Sequence, residues 1–307
     1  MTGIYLITGF LGAGKTTFLK KFVKLQSAHK MRIIVNEFGK EGIDGKLLKE
    51  LSIVVDEINN GSIFCACRLE QFEKVLVTAL QDVPELIIIE ASGLSDPTNI
   101  RKILSQQDKF KNIKLLGSIC IVDAINFKKV IATARVCKKQ LSVSNVVIIN
   151  KTDIATDDDI CLTKKLIAEL YPDIITHLTS FGEIKTEWLE QLCCDKSENP
   201  PLMQTKDLGL QKALIHISDT MGLFRLEKFL EMICEDAYRI KGFVKLDGEI
   251  YLVDCVGSLF TVKRYALQKS DEVNINHIVA LAGSGVDLKK SIQNAVKWYK
   301  DYIITVE

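Results

Sequence analysis

No sign of charge dominates this chain. Its 40 lysines and arginines against 39 aspartates and glutamates leave a net charge of +1 over 307 residues. No sequence-wide attraction to nucleic acid or to an anionic membrane surface follows from that balance, so any recognition of phosphate must be local. Long apolar runs are absent too. No segment approaches the ~20 uninterrupted apolar residues that span a bilayer, and neither nucleic acid nor membrane is an expected partner. No basic leader precedes an apolar core at the start of the chain, where residues 4–7 run straight into a glycine-rich segment, so no export signal is expected. The expected location is the cytoplasm, where the nine cysteines stay mostly as thiols. Internal repeats and low-complexity tracts are missing as well.

What is present begins with Gly9-Phe10-Leu11-Gly12-Ala13-Gly14-Lys15-Thr16, set between a β-branched run at 4–8 and a helical stretch at 17–24. Glycines let the backbone fold tightly enough for successive N–H groups to face phosphates. Lys15 supplies charge to the β and γ groups, and the Thr16 hydroxyl can ligate Mg²⁺. Gly9, Gly12, Ala13, Gly14, Lys15, Thr16 and Thr17 are therefore the expected phosphate-binding residues. The competing reading, a glycine turn with no ligand, does not account for the strand before and the helix after.

At this length two domains are expected. Apolar runs recur at 4–7, 32–35, 53–55, 86–89, 118–122 and 146–149, with helix-period stretches between most of them. Near-continuous β-branched strands are what a parallel sheet covered on both faces requires. Residues 1–195 thus read as an α/β P-loop domain of three layers around a mostly parallel sheet. Its polar motifs each follow directly after an apolar run, at the carboxyl ends of the strands where such sheets bind ligands. A polar, proline-containing stretch at 196–210 reads as a linker. Beyond it, 211–307 read as a smaller α+β domain with strands at 213–218, 242–246, 249–255, 259–263 and 277–282. Helices are expected near 223–237 and 286–299, a hairpin turn at Asp247-Gly248, and a split βαβ sheet.

Asn150-Lys151-Thr152-Asp153 follows the run at 146–149 and has the Asn-Lys-x-Asp form of a guanine reader. A carboxylate at Asp153 accepts hydrogen bonds from the guanine N1–H and 2-amino groups and is left unpaired by adenine, which is how such a site discriminates. Thr179-Ser180 can offer backbone N–H to the guanine O6. Glu90-Ala91-Ser92-Gly93 follows the run at 86–89, where Glu90 can sense Mg²⁺ and Gly93 can present its N–H to the γ-phosphate. Loss of that phosphate would release residues 94–98. Lys15, Glu90 and Gly93 are the expected catalytic residues. Leu94 stands where some GTPases place a water-orienting glutamine, so slow intrinsic hydrolysis is expected. Asp123, after the run at 118–122, reads as a strand cap.

Cys65-Ala66-Cys67-Arg68 directly precedes a helical stretch at 69–80. Thiolates at a helix start beside an arginine have lowered pKa values, and the thiolate is the form that binds soft or borderline metals. Buried inert cysteines fit the same spacing. Asn36-Glu37-Phe38-Gly39 offers Glu37 as an oxygen ligand, as a γ-phosphate sensor, or as a solvated loop acid. Cys120, Cys193, Cys194, Cys234 and Cys255 read as core or incidental.

The full set resembles the CobW-type P-loop GTPases, relatives of the urease and hydrogenase nickel-insertion GTPases. The resemblance rests on the segment from Thr8 to Thr17, on Asn36-Glu37-Phe38-Gly39, on Asn60-Gly61 before the cysteines, and on the segment from Glu90 to Pro97. Asn150-Lys151-Thr152-Asp153 and, in the second domain, Arg239-Ile240-Lys241-Gly242-Phe243 extend it over nearly the whole chain. It implies a GTP-dependent metal chaperone or insertase whose metal sits in a Cys-x-Cys-Cys motif between two switch regions. This chain departs there: Ser62 lies near the family's first cysteine, with only Cys65 and Cys67 in the motif. Lys40 follows the Asn-Glu-Phe-Gly turn, and the chain lacks a histidine-rich tract. The resemblance makes GTP or GDP with Mg²⁺ the expected cofactors and Zn²⁺ or Co²⁺ the ion held by Cys65, Cys67 and Glu37. A client metalloenzyme or corrinoid protein is the expected partner, with a nucleotide- or metal-dependent dimer. Two alternatives stand beside metal delivery: a GTP-dependent chaperone of a corrinoid or organometallic enzyme that carries no free metal, and a nucleotide-gated scaffold with negligible turnover. A P-loop kinase is disfavoured by the guanine reader.

Overall fold

The computed structural model describes residues 1–36, 55–58, 69–104, 110, 112–193, 211–256, 259–266, 274–283 and 287–307. The chain divides into two compact units, Met1–Gln204 and Thr205–Glu307. The expected linker at 196–210 lies outside the described residues.

In the first unit β1 (Thr2–Gly9) leads into α1 (Lys15–Leu25), followed by β2 (Met31–Asn36), β3 (Val55–Ile58), α2 (Leu69–Gln81), β4 (Leu86–Glu90) and α3 (Thr98–Leu104). Then come β5 (Ile113–Asp123), α4 (Phe127–Thr133), α5 (Arg135–Ser142), β6 (Val146–Asn150), α6 (Asp157–Leu170), β7 (Ile175–Leu178) and α7 (Thr186–Glu190). The strands form one seven-stranded sheet in the order β3-β2-β4-β1-β5-β6-β7, and every pairing is parallel. The apolar runs are continuous because both faces are covered. Ile4 and Leu6 of β1 pack with Phe72, Leu76 and Ile100 on one side. Tyr5 and Ile7 pack with Phe18, Leu19 and Phe22 of α1 on the other. The chain leaves β1 toward β2 on one side and β5 toward β6 on the other, so the carboxyl ends of β1 and β5 bound a crevice at the point where the strand order reverses.

Expected and observed strands differ at two places in this unit. The run at 53–55 meets β3 only at Val55, residues 53 and 54 being outside the described set. β5 is longer than its apolar run because its first residues, half exposed, still pair with the start of β1 from Thr2 onward.

The second unit is β8 (Gln211–Ile217), α8 (Leu223–Cys234), β9 (Arg239–Leu246), β10 (Glu249–Val256), β11 (Leu259–Arg264), β12 (His277–Ala282), α9 (Leu288–Trp298) and β13 (Ile303–Val306). Its sheet has the order β11-β10-β9-β12-β8-β13 with antiparallel neighbours throughout. β12 lies between β8 and β9, the two strands that α8 connects, which is a split βαβ unit; β8 is likewise inserted between β12 and β13. The hairpin turn forms at Asp247 (φ 50°) and Gly248 (φ 86°), joining β9 to β10 through two left-handed residues. β9 starts at Arg239, three residues before the expected strand. Arg239 and Lys241 alternate there with buried Ile240 and Gly242, and that mixture breaks the apolar signal. β13 was not expected from its four residues.

Candidate functional site

The crevice is built by backbone geometry first. Gly9, Gly12 and Gly14 all have positive φ, at 140°, 71° and 98°. A side chain at Gly9 would come within 2.2 Å of the Ile121 carbonyl, and one at Gly14 within 2.3 Å of the Asn150 amide nitrogen. The loop can close in this shape only with glycine at these two positions. It ends at Gly14, the N-cap of α1, so Lys15, Thr16 and Thr17 occupy the first helical turn, where free N–H groups and the helix dipole favour an anion. Lys15 is buried, and its Nζ donates to the Phe10 carbonyl at 3.1 Å, which holds the ammonium over the loop.

Asn150, at the end of β6, does a different job from its neighbours. Its Nδ2 donates to the Ala13 carbonyl at 2.9 Å and its Oδ1 accepts from the Gly182 N–H at 3.1 Å. The buried amide thus ties the phosphate loop to the segment after β7. Lys151 sits at φ 66° and pairs with Asp123 at 2.7 Å. Asp123 also accepts from the N–H groups of Ile125 and Asn126, so it is the expected strand cap with an added ion pair. The Thr152 hydroxyl bonds the Thr179 carbonyl at 3.0 Å and the Ser180 hydroxyl at 2.9 Å. Asp153 is exposed, with no protein partner among the described residues. Asn150 and Thr152 are therefore spent on the segment after β7, Lys151 on Asp123 at the end of β5, and Asp153 is presented outward.

On the other side, Glu90 ends β4 next to Ile7 of β1 and is 3 % exposed. Gly93 lies so close to the phosphate loop that a side chain there would meet the Leu11 amide nitrogen at 2.6 Å. Gln140 of α5, 1 % exposed, donates from Nε2 to the carbonyls of Gly93 at 3.1 Å and Ser95 at 3.4 Å. Lys139 donates to Asp96 at 2.7 Å, and Asp96 in turn accepts from the Thr98 hydroxyl and N–H. Burial pushes the Asp96 carboxyl up, but the hydrogen bonds from Lys139 and Thr98 outweigh it and hold it below its ordinary value.

Cys120 in β5 is buried, and desolvation pushes its thiol up to about 12 against the opposing pull of Lys15 and a hydrogen bond with Ser144. It is a core thiol. Cys234 and Cys255 are likewise buried in the second unit, while Cys161 is exposed. Glu37, Cys65, Cys67 and Cys194 lie outside the described residues, and among the described residues no group of three or more His, Cys, Asp or Glu side chains is placed to hold a metal ion. Among them, too, no helix is long and apolar enough to cross a membrane.

The structure thus brings together the phosphate loop, Glu90, Gly93, Asn150 and Lys151. Lys139, Gln140 and Gly182 were missed by the sequence reading. A glycine two residues after Ser180 was the one legible signal; nothing local marks the other two.

A family model described as the CobW/HypB/UreG nucleotide-binding domain matches residues 3–175, and one described as the cobalamin synthesis protein cobW C-terminal domain matches residues 215–297. The chain is similar to the zinc chaperone YjiA of Escherichia coli, with 30 % identity over 265 residues covering 80 % of this chain and 82 % of that protein. It is similar to the zinc chaperone CobW of Pseudomonas aeruginosa, with 38 % identity over 133 residues, 40 % of this chain and 33 % of that one. The crystal structure of Zn(II)-bound YjiA GTPase from E. coli is similar at 19 % identity and a TM-score of 0.45, covering 97 % of this chain and 98 % of that one.

Proposed function

The chain belongs to the CobW/HypB/UreG nucleotide-binding family, and on that premise we propose that it is a GTP-hydrolysing metallochaperone that delivers zinc or cobalt to a client metalloenzyme. The observation that carries the nucleotide half of this reading is the use of Asn150. It bonds the phosphate loop and the segment after β7 at once, while Asp153 stays exposed beside them. That arrangement couples phosphate and base recognition in one rigid frame and leaves one carboxylate to read the base.

In this reading Lys15, already held over the loop, supplies positive charge to the β- and γ-phosphates and to the transferring phosphoryl group. Thr16 and Glu90 offer a hydroxyl and a carboxylate, the hard oxygen donors that Mg²⁺ takes. When bound, that ion would offset negative charge on the β- and γ-phosphates. Gly93, where an added side chain would collide with Leu11 of the loop, would present its N–H to the γ-phosphate. With Leu94, not a glutamine, next in sequence after Gly93, turnover without a partner is slow, below ~1 s⁻¹ against a typical ~10 s⁻¹.

The delivery half rests on the names of the relatives and on Cys65, Cys67 and Glu37. We assign residues 1–195 to the nucleotide cycle, 196–210 to a linker and 211–307 to the C-terminal domain. The ion is cargo, bound by thiolates that lie in sequence between Glu37 and the Gly93 segment. GTP and GDP should bind at least tenfold more tightly than ATP and ADP, and Asp153→Asn should erode that preference; equal affinities would remove the GTPase reading. In a metal titration of the reduced protein, one Zn²⁺ or Co²⁺ should bind per chain with release of protons. The paired change Cys65→Ser and Cys67→Ser should lose the ion and keep GTP. Linkage requires metal and GTP affinities to change each other reciprocally. Metal affinity that is the same with GDP and with a non-hydrolysable GTP analogue would remove gated delivery.

A further inference from the structure

Besides its contacts with Thr152, the segment from Thr179 to Glu183 is held at six points. The Thr179 N–H donates to the Ile149 carbonyl at 2.8 Å and the Thr179 hydroxyl to the Glu183 carbonyl at 2.8 Å. The Glu183 N–H closes a turn on the Ser180 carbonyl at 3.2 Å, and the Gly182 N–H is fixed on Asn150. Gly182 also packs on α1 so closely that a side chain would meet the Phe18 amide nitrogen at 2.7 Å, and the Glu183 carboxylate pairs with Lys21 of the same helix.

What this frame presents is Phe181. Its φ is 53°, a left-handed backbone that is uncommon for a bulky residue and strained. The residue is 68 % exposed, and neither its N–H nor that of Ser180 has a hydrogen-bond partner among the described residues. An exposed apolar residue is ordinary by itself. An exposed phenyl ring fixed in a strained backbone by a six-point frame is not, because a polar residue or glycine would suit the resting fold better. The frame lies beside Asp153: the Thr152 and Asn150 contacts cross from the one loop to Thr179, Ser180 and Gly182 on the other.

We infer that Phe181 is the stacking residue for the nucleotide base. Its ring covers the flat face of a purine while Asp153 takes the Watson–Crick edge. This rests on the nucleotide reading above and divides its labour. Stacking on an aromatic ring gives affinity with little regard to which purine is bound, and Asp153 gives the choice between guanine and adenine.

The test is calorimetric titration of the full chain with GDP, ADP and inorganic tripolyphosphate, in Mg²⁺, for the wild type, Phe181→Ala and Phe181→Tyr. The expected result is a loss of roughly tenfold in both GDP and ADP affinity for Phe181→Ala. The ratio between the two nucleotides and the affinity for tripolyphosphate should be unchanged, with Phe181→Tyr close to wild type. Wild-type GDP affinity in Phe181→Ala would overturn the inference, as would an equal loss for tripolyphosphate, which would place Phe181 in the folding of the loop. A wild type without guanine preference that still loses tenfold at Phe181→Ala would keep the stacking residue and remove the role given to Asp153.

Discussion

The two segments that flank the phosphate loop are held in opposite ways. On the base side, residues 150–153 and 179–183 hold each other through short crossing contacts, and every group used in that framework is committed to it. On the phosphate-sensing side, residues 93–96 are tethered by α5, which reaches in with Gln140 and Lys139. That hold is incomplete, for the buried Oε1 of Gln140 has no hydrogen-bond partner among the described residues. A site that must recognise a base benefits from a preformed frame. A segment that must change state when a phosphate is lost needs contacts it can release, and a few long tethers from one helix are easier to exchange than a mutual lattice.

The largest test of this comparison is Lys15→Ala. The ammonium lies on the phosphate loop between the two sides, and its removal takes away charge stabilisation at the transferring group, so hydrolysis should fall by at least 10². The base-side frame is built through Asn150, Thr152 and Gly182, and discrimination between GDP and ADP should survive. Loss of base preference in a steady-state competition assay would show that the two sides are not separable in the way the contacts suggest.

Asn150→Ala comes next. It leaves the Ala13 carbonyl and the Gly182 N–H without their partner inside the protein, and two such losses cost about 2 to 3 kcal/mol. Denaturant unfolding should show that loss, and GDP affinity should fall with it, because the phosphate loop and the base loop come apart together. A stable variant with normal affinity would mean that the Thr152 contacts and the packing of Gly182 on α1 hold the frame without Asn150.

Gln140→Leu separates the two sides in the other direction. It removes the tethers to Gly93 and Ser95 but also an unsatisfied buried oxygen, so global stability should change by no more than about 1 kcal/mol. Local opening should change far more. Amide hydrogen exchange at residues 94–98 should accelerate while exchange at 179–183 stays as it was. Equal exchange in both variants and both segments would show that α5 does not hold the phosphate-sensing side.

The contrast also explains which parts of the site were legible in the sequence. The phosphate loop, Glu90, Gly93 and the Asn150 to Asp153 motif each sit on consecutive residues whose spacing is dictated by a strand end, so a local pattern carries them. The parallel sheet was legible for the same reason, since burial on both faces writes itself as unbroken apolar runs. Gln140 and Lys139 lie more than 40 residues from the Gly93 carbonyl and the Asp96 carboxylate they hold. On a short helix of mixed polarity they look like ordinary surface residues. Phe181 carries no local signal, because its meaning lies in its φ and its exposure, which one residue letter does not disclose. β13 is too short for its period to be read. Glu37, Cys65 and Cys67 remain sequence expectations.

The smallest predicted effect is a pH dependence on the phosphate-sensing side. The Asp96 carboxyl is held below its ordinary value by Lys139 and Thr98 despite the opposing effect of burial. A carboxyl whose folded value is depressed stabilises the fold fully above its unfolded value, near 3.9. That contribution is lost as pH falls through the lower folded value. The group is partly exposed, so the contribution is on the order of 1 kcal/mol at most. Asp96→Asn should therefore flatten the loss of stability with falling pH below about 4 and leave the curve at neutral pH displaced by a constant amount. Unfolding curves measured from pH 3 to 7 on Asp96→Asn and the wild type check this. An unchanged slope in Asp96→Asn would show that the contacts from Lys139 and Thr98 add nothing to stability and that the tether from α5 to Asp96 holds nothing.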